Sequence, residues 1–298
     1  SSNTYLGGSF SAAGYQANRM AAYTGTNDVP LWGIPSLNGT IYCSVADGSG
    51  GWYIGGSFTT IGGTNRNYIA HILANFTLDP NFNPGANNSV YALALDNNKL
   101  YAGGAFTTLA SNTANRVGCI DLSSGQLTSW NPNCNSSVYT ICVTSSDVYL
   151  GGAFTVVGTN DQPYFAKVDK TTGAYLPGVA TDYIVNDIKE NNGKIYLGGS
   201  FSNAGYYTTY GAALTTASDI PSTSFPKTNG IIYDILSDGN GGWYIAGNFT
   251  NVGGVTRNRI AHILSNFTVD PSWNPDANNS VYTLALSGGN LFAGGTFT

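Results

Sequence analysis

A six-residue segment built around paired glycines occurs seven times in this 298-residue chain. It reads YLGGSF at Tyr5, YIGGSF at Tyr53, YAGGAF at Tyr101, YLGGAF at Tyr149, YLGGSF at Tyr196, YIAGNF at Tyr244 and FAGGTF at Phe292. The intervals are 48, 48, 48, 47, 48 and 48 residues. A short unit repeated in register cannot bury its own apolar faces and must stack on its neighbours, so the period dictates a repeat architecture. It also excludes the other familiar use of paired glycines, because a phosphate loop opens a helix and is built once per domain.

The third copy, residues 89 to 132, shows what the unit is. SVYALAL alternates bulky and small residues and reads as a strand, followed by the tight polar turn DNN. KLYAGGAF is a second strand, whose glycines admit close backbone approach. After the loop TTLASNTAN come a third strand, RVGCIDL, the turn SSGQ and a short fourth strand, LTSW. Four short antiparallel strands per 48 residues without a helix predict an all-β fold: a β-propeller of four-stranded blades.

The Gly-Gly of the second strand, the downstream "ID" or "VD" and the following Trp resemble kelch-type propeller repeats. The run RNRIAHILSNFTVDPSWNPDANNSVYTLALSGGNLFAGGTFT, residues 257 to 298, resembles the delta-sixty type of repeat of large secreted bacterial proteins. The shared pattern is Arg, apolar-Ala, Asp-Pro-x-aromatic-Asn-Pro, then Gly-Gly-x-Phe-Thr. Its Arg and Asn-Pro are missing between residues 155 and 235. The resemblance implies a propeller and no catalytic activity.

A longer period of 191 residues overlies the first. AHIL at 70–73 recurs at 261–264, and ANNSVY at 86–91 recurs at 277–282. This reads as duplication of a four-blade unit. We expect residues 1–298 to be one propeller domain with incomplete first and last blades, part of a longer repetitive chain. Seven blades are favoured, with six or eight as alternatives.

Only 9% of the residues are Asp, Glu, Lys or Arg, and the net charge is −5. There is no basic surface for a nucleic acid and no apolar run of the roughly 20 residues that spans a bilayer. Cys43, Cys119, Cys134 and Cys142 lack metal-ligand spacing. Most read as small residues at repeat positions, with a Cys119–Cys134 or Cys134–Cys142 disulfide as the alternative. We expect no metal and no cofactor.

Charged candidates for chemistry are few. Asp187 and Asp234 share one first-strand position in adjacent copies, where they could hold a cation or a proton between them, or simply bind water. His71 and His262 are equivalent, four copies apart, and read as strand residues. Asp79 and Asp270 read as turn caps, and DGSGG and DGNGG, from Asp47 and Asp238, as hairpin turns. Tyr15, Trp32, Tyr206, Tyr207 and Tyr210 stand off the repeat register. Of these, Tyr206, Tyr207 and Tyr210 form a candidate binding loop. Seven Asn-x-Ser/Thr sequons, at Asn38, Asn75, Asn87, Asn135, Asn248, Asn266 and Asn278, are candidate glycosylation sites.

These features favour a non-catalytic extracellular or cell-surface propeller, a scaffold or protein-interaction module such as a unit of an adhesin or surface fibre. Its expected partners are other protein chains or copies of itself. A glycan-binding propeller is the alternative. A polysaccharide-active enzyme ranks third, because only Asp187 and Asp234 qualify for its chemistry.

Overall fold

The computed structural model of the chain describes residues 3–7, 20–24, 35–207, 210–215, 224–287 and 289–298. Every regular element among them is a β-strand. The chain divides into two compact units, residues 1–141 with 171–174, and residues 142–170 with 175–298.

The repeat period reappears as a series of antiparallel sheets. Val90–Asp96, Lys99–Gly104, Val117–Asp121 and Gln126–Leu127 form one four-stranded sheet, in the chain order expected of the third copy. Val138–Val143, Asp147–Gly152, Phe165–Asp169 and Tyr175–Leu176 form a second. Three further sheets have three strands each, with first strands Ile41–Ala46, Val185–Asn191 and Ile232–Ser237. The uniform four-stranded blade is therefore corrected. In two copies the fourth strand shrinks to one bridge, Ile72 to Leu78 and Ile263 to Val269, because the following Asp-Pro turns the chain away.

The glycine pair is a packing device. A Cβ added to Gly55 would lie 2.6 Å from Val90 Cγ1, on the first strand of the next copy, and 2.6 Å from Cys43 Sγ. One added to Gly56 would run into the Thr40 carbonyl of its own first strand. Gly198 and Gly199 repeat the arrangement against Ile232 and the Ile184 carbonyl. Two residues on, Phe58, Phe106, Phe154, Phe201 and Phe249 are completely buried. Each contributes about 1.5–3 kcal/mol of hydrophobic stabilisation.

Two irregularities recur. First strands carry a bulge where the chain shifts register, between Ile41 and Cys43, Val90 and Ala92, Val185 and Asp187, Ile232 and Asp234, and Val281 and Thr283. The residue before the third strand is left-handed in five copies although it is never glycine: Tyr68, Arg116, Tyr164, Tyr210 and Arg259, with φ of 60–68°. That conformation is held by the backbone. The Tyr68 amide donates to the Phe58 carbonyl at 2.8 Å, and the Tyr210 amide to that of Phe201 at 2.7 Å.

Candidate functional site

Asp187 and Asp234 occupy the residue just after the bulge on successive first strands. Each carboxylate reaches a backbone amide of the next first strand. Asp187 Oδ2 accepts from the Ile235 amide at 3.0 Å, and Asp234 Oδ2 from the Leu284 amide at 2.6 Å. The two side chains thus serve as acceptors for edge amides that their own ladders leave over. Lys189, two residues along the same strand, donates to both oxygens of Asp187 at 2.7 and 2.8 Å.

The electrostatics follow from this geometry. Burial and then the charge of Asp187 push the Asp234 carboxyl up to about 7, against the opposing pull of Lys189. Lys189 is raised: burial works against its charge, and Asp187 and Asp234 outweigh it. Asp187 is buried, whereas the Lys189 side chain keeps 42% of its surface. The cluster is two carboxyl groups on successive first strands, one of them paired with an ammonium. The spacing of first strands brought the two aspartates together on paper; Lys189 went unnoticed because its neighbours in register are Ala94 and Leu236.

A second arrangement occurs once in each unit. His71 Nδ1 lies 2.9 Å from Asp79 Oδ2, and its Nε2 3.1 Å from Asp47 Oδ2. His262 repeats these distances with Asp270 and Asp238. The ring also stacks on Tyr53 (4.2 Å) or Tyr244 (4.5 Å). Asp47 uses its other oxygen to accept the Ser49 and Gly51 amides, at 2.7 and 2.8 Å. Asp79 does the same for Asn81. The imidazole therefore bolts the DGxGG hairpin turn and the Asp-Pro turn to the third strand of its sheet.

The lone strand histidine and the separate turn caps are thus parts of a single bracket. Its aspartates are held low. For Asp47, Asp79 and Asp238 burial opposes this and is outweighed by backbone amides and the histidine. Asp270 falls to about 2, through the Ser272 hydroxyl first and then His262. The signal available in the sequence was co-occurrence. DGxGG, Ala-His-Ile and Asp-Pro appear together in two copies and in no other. Arg66 and Arg257 complete the device, donating to the Asp79 carbonyl at 3.1 Å and the Asp270 carbonyl at 2.7 Å.

The bulged residues themselves form rows. Tyr42 and Tyr91 have ring centroids 5.4 Å apart, Tyr91 and Tyr139 5.5 Å, and in the other unit Tyr233 and Tyr282 5.2 Å. Tyr42 and Tyr282 are half exposed. These first-strand tyrosines were passed over because alternation assigns such positions to packing. The predicted tyrosine loop is different. Tyr206 and Tyr207 lie in a two-residue ladder with Asn203–Ala204, and their side chains lie outside the described residues. Tyr210 is in register with Tyr68 and Tyr164, not off it, and is held by its backbone. Tyr15 and Trp32 also lie outside the described residues.

The sequons separate into two groups. Asn38, Asn87 and Asn278 each clamp the loop after the second strand. Asn87 Nδ2 donates to Thr107 Oγ1 at 2.8 Å, and its Oδ1 accepts the Thr107 and Thr108 amides at 2.8 and 3.1 Å. Asn38 does this with Thr59 and Thr60, and Asn278 with Thr298. Asn135 shares the repeat position. Asn75 and Asn266 instead turn their Oδ1 onto Thr77 and Thr268 in exposed NFT turns. Asn248 is exposed on the loop after the second strand.

The cysteines are free thiols, so neither candidate disulfide forms. Burial raises all four, Cys134 and Cys142 to about 12. No group of three or more His, Cys, Asp or Glu among the described residues could hold a metal ion.

A sequence family described as "Domain of unknown function (DUF5122) beta-propeller" matches residues 48–82 and 239–272. Those two segments hold the histidine and the Asp-Pro aspartate of each bracket. No curated protein sequence matches the chain. Among solved structures, the computationally designed Ika8 protein is similar at 10% identity, with a TM-score of 0.63 over 92% of this chain and 74% of that one. The extracellular domain of BT4673 from B. thetaiotaomicron is similar at 17% identity, with a TM-score of 0.56. That match covers 92% of this chain but only 34% of the other, so the present chain spans about a third of it. The repeated sheets and these likenesses support a β-propeller fold. Among the described residues no helix is long and apolar enough to cross a membrane.

Proposed function

We propose that the chain is a non-catalytic extracellular propeller that acts as a structural scaffold or protein-interaction module, as a unit of an adhesin or surface fibre would. As part of this reading we propose seven blades and a repeat of the delta-sixty type, on its Asp-Pro-x-aromatic-Asn-Pro runs. The observation that carries this reading is where the charge goes. Both histidines, the four bracket aspartates, Arg66 and Arg257 are spent on the chain's own turns and carbonyls. Asp187 is spent on Lys189 and the Ile235 amide, and Asp234 on the Leu284 amide. The similarity to an extracellular domain supports the location.

A second reading, neutral-glycan binding, is favoured by the Tyr42–Tyr91–Tyr139 row, since amphipathic rings stack on sugars. Polysaccharide cleavage has less behind it. Asp187 is held by Lys189 and the Ile235 amide and Asp234 by the Leu284 amide, whereas glycoside hydrolysis wants its two carboxyl groups turned to a substrate between them.

The test is affinity electrophoresis of the purified chain in gels containing neutral or acidic polysaccharides, with reducing ends assayed in parallel and self-association followed by sedimentation. Concentration-dependent self-association without retardation supports the scaffold. Retardation by a neutral polysaccharide, lost in Tyr91→Ala, supports the second reading. Release of reducing ends would overturn both.

A further inference from the structure

Seven sequons carry the same carboxamide, and the fold puts it to different uses. We propose that Asn75 and Asn266 are the N-glycan attachment sites of the chain, each at the tip of the hairpin that follows a third strand. The inference rests on the extracellular location proposed above.

The distinction lies in where the atoms of each carboxamide go. After the strand Ile69–Ile72, the Leu73 amide donates to the Thr77 carbonyl at 2.9 Å and the Phe76 amide to the Leu73 carbonyl at 2.8 Å. Leu264, Phe267 and Thr268 repeat both bonds at 2.8 Å. Asn75 Oδ1 accepts the Thr77 hydroxyl at 2.7 Å and the Thr77 amide at 3.1 Å. Asn266 matches it with Thr268, at 2.7 and 3.0 Å. Nδ2 of these two asparagines makes no hydrogen bond among the described residues, and both residues are exposed. The middle residue of each sequon is left-handed, Phe76 at φ 66° and Phe267 at φ 67°. Phe267 is partly buried, 6.2 Å from Phe225 between ring centroids, with Lys194 Nζ 4.9 Å over its ring. That anchor fixes the turn and keeps the flanking Asn266 and Thr268 at the surface.

The chemistry of transfer suits this arrangement. A bond forms from Nδ2 to the anomeric carbon of the sugar. The bond from that carbon to its donor, a lipid pyrophosphate or a nucleoside diphosphate, breaks, and the donor oxygen keeps the electron pair. One Nδ2 proton is lost. Oδ1 takes no part, so both bonds that hold the turn survive the attachment.

At the clamp positions Nδ2 is itself a structural donor. It reaches Thr59 Oγ1 from Asn38 at 2.7 Å, Thr107 Oγ1 from Asn87 at 2.8 Å and Thr298 Oγ1 from Asn278 at 3.0 Å. The loop must open before a transferase can use that nitrogen. Asn135 shares the clamp position. Asn248 is exposed, but the threonine of its sequon is taken: Thr250 Oγ1 accepts Asn229 Nδ2, and the Thr250 amide donates to Asn229 Oδ1, both at 2.8 Å. In each sheet the third strand lies at the side remote from the first, so sugars on Asn75 and Asn266 stand away from Tyr42 and Tyr233.

The experiment has two arms. In the first, the folded chain and synthetic peptides spanning each sequon are incubated with a soluble sequon-specific N-glycosyltransferase and UDP-glucose. Peptide mass spectrometry reads the rate at every site. In the folded chain Asn75 and Asn266 should be modified at close to their peptide rates, and Asn38, Asn87 and Asn278 at least about tenfold below theirs. Asn38 is the sharpest control, because its sequon also ends in threonine. Asn75→Gln and Asn266→Gln should each remove one sugar. Clamp sites that react as fast as their peptides overturn the assignment, and so does a folded chain left bare at Asn75 and Asn266. In the second arm, the same sites are mapped on protein from its native source after cell fractionation, with sugar expected on Asn75 and Asn266 of surface protein. Bare protein at the surface overturns the assignment and leaves the location standing. Bare protein found only inside the cells overturns both.

Discussion

Replacing His71 with alanine would take the ring nitrogens away from the Asp47 and Asp79 oxygens they bind. Two charge-assisted hydrogen bonds and a ring stack disappear together, and a loss of about 3 kcal/mol is expected. Urea unfolding of His71→Ala beside wild type measures it. The same bracket sets the acid limit. Asp47, Asp79, Asp238 and Asp270 are held below the ordinary aspartate range, Asp270 at about 2. A depressed carboxyl stabilises the fold above its unfolded value, near 3.9, and that contribution fades as pH falls through the folded value. The urea midpoint should therefore drop between about pH 4 and pH 2. In the double variant His71→Ala, His262→Ala the drop should be shallower, because these aspartates then start closer to their ordinary value.

At the level of the strand and its loops, the glycine pair and the asparagine clamp make opposite demands. Gly55→Ala forces a methyl against Val90 and Cys43, in a core with no slack, and a cost of about 1–3 kcal/mol is expected. Gly254→Ala, with φ +85° and open space around it, pays only for its backbone conformation, about 1 kcal/mol. Thermal melts of the two variants should rank them in that order. For the clamp, Asn87→Ala should cost about 1 kcal/mol. Asn87→Asp should cost less, because Asp182 does the same work, accepting the Ser202 and Asn203 amides at 2.7 and 2.9 Å.

That clamp also explains what the sequence made legible and what it hid. Strands, their order and the role of Gly55 and Gly56 follow from period and alternation, which act within one copy. The three-stranded sheets, the His71 bracket and the part played by Lys189 depend on which residues meet across turns or across copies, and alternation carries no record of that. The sequons at Asn38, Asn87 and Asn278 coincide with the clamp because the clamp asparagine is followed two residues on by Ser or Thr. Their amides are already committed to the loop.

For the molecule as a whole, the two kinds of aspartate give stability a maximum on the acid side of neutrality. The bracket carboxyls, with lowered values, add stability as pH rises from about 2 to about 4 and then contribute a constant amount. Asp234, raised to about 7, works the other way. A group whose folded value is raised contributes stability fully present below its unfolded value, near 3.9, and lost as pH climbs through the folded one. Between those limits the folded chain holds one more proton than the unfolded chain. Stability should therefore decline by up to about 1.4 kcal/mol per pH unit, levelling off above neutrality. Lys189, also raised, adds a further loss only in strongly alkaline solution. A pH series of urea denaturation should show a peak near pH 4–5 and a descending limb to about pH 7. Asp234→Asn should keep the acid limb and flatten the descending one, so that above neutral pH the variant is at least as stable as the wild type. Equal descending limbs in the two proteins would place the extra proton on some other group.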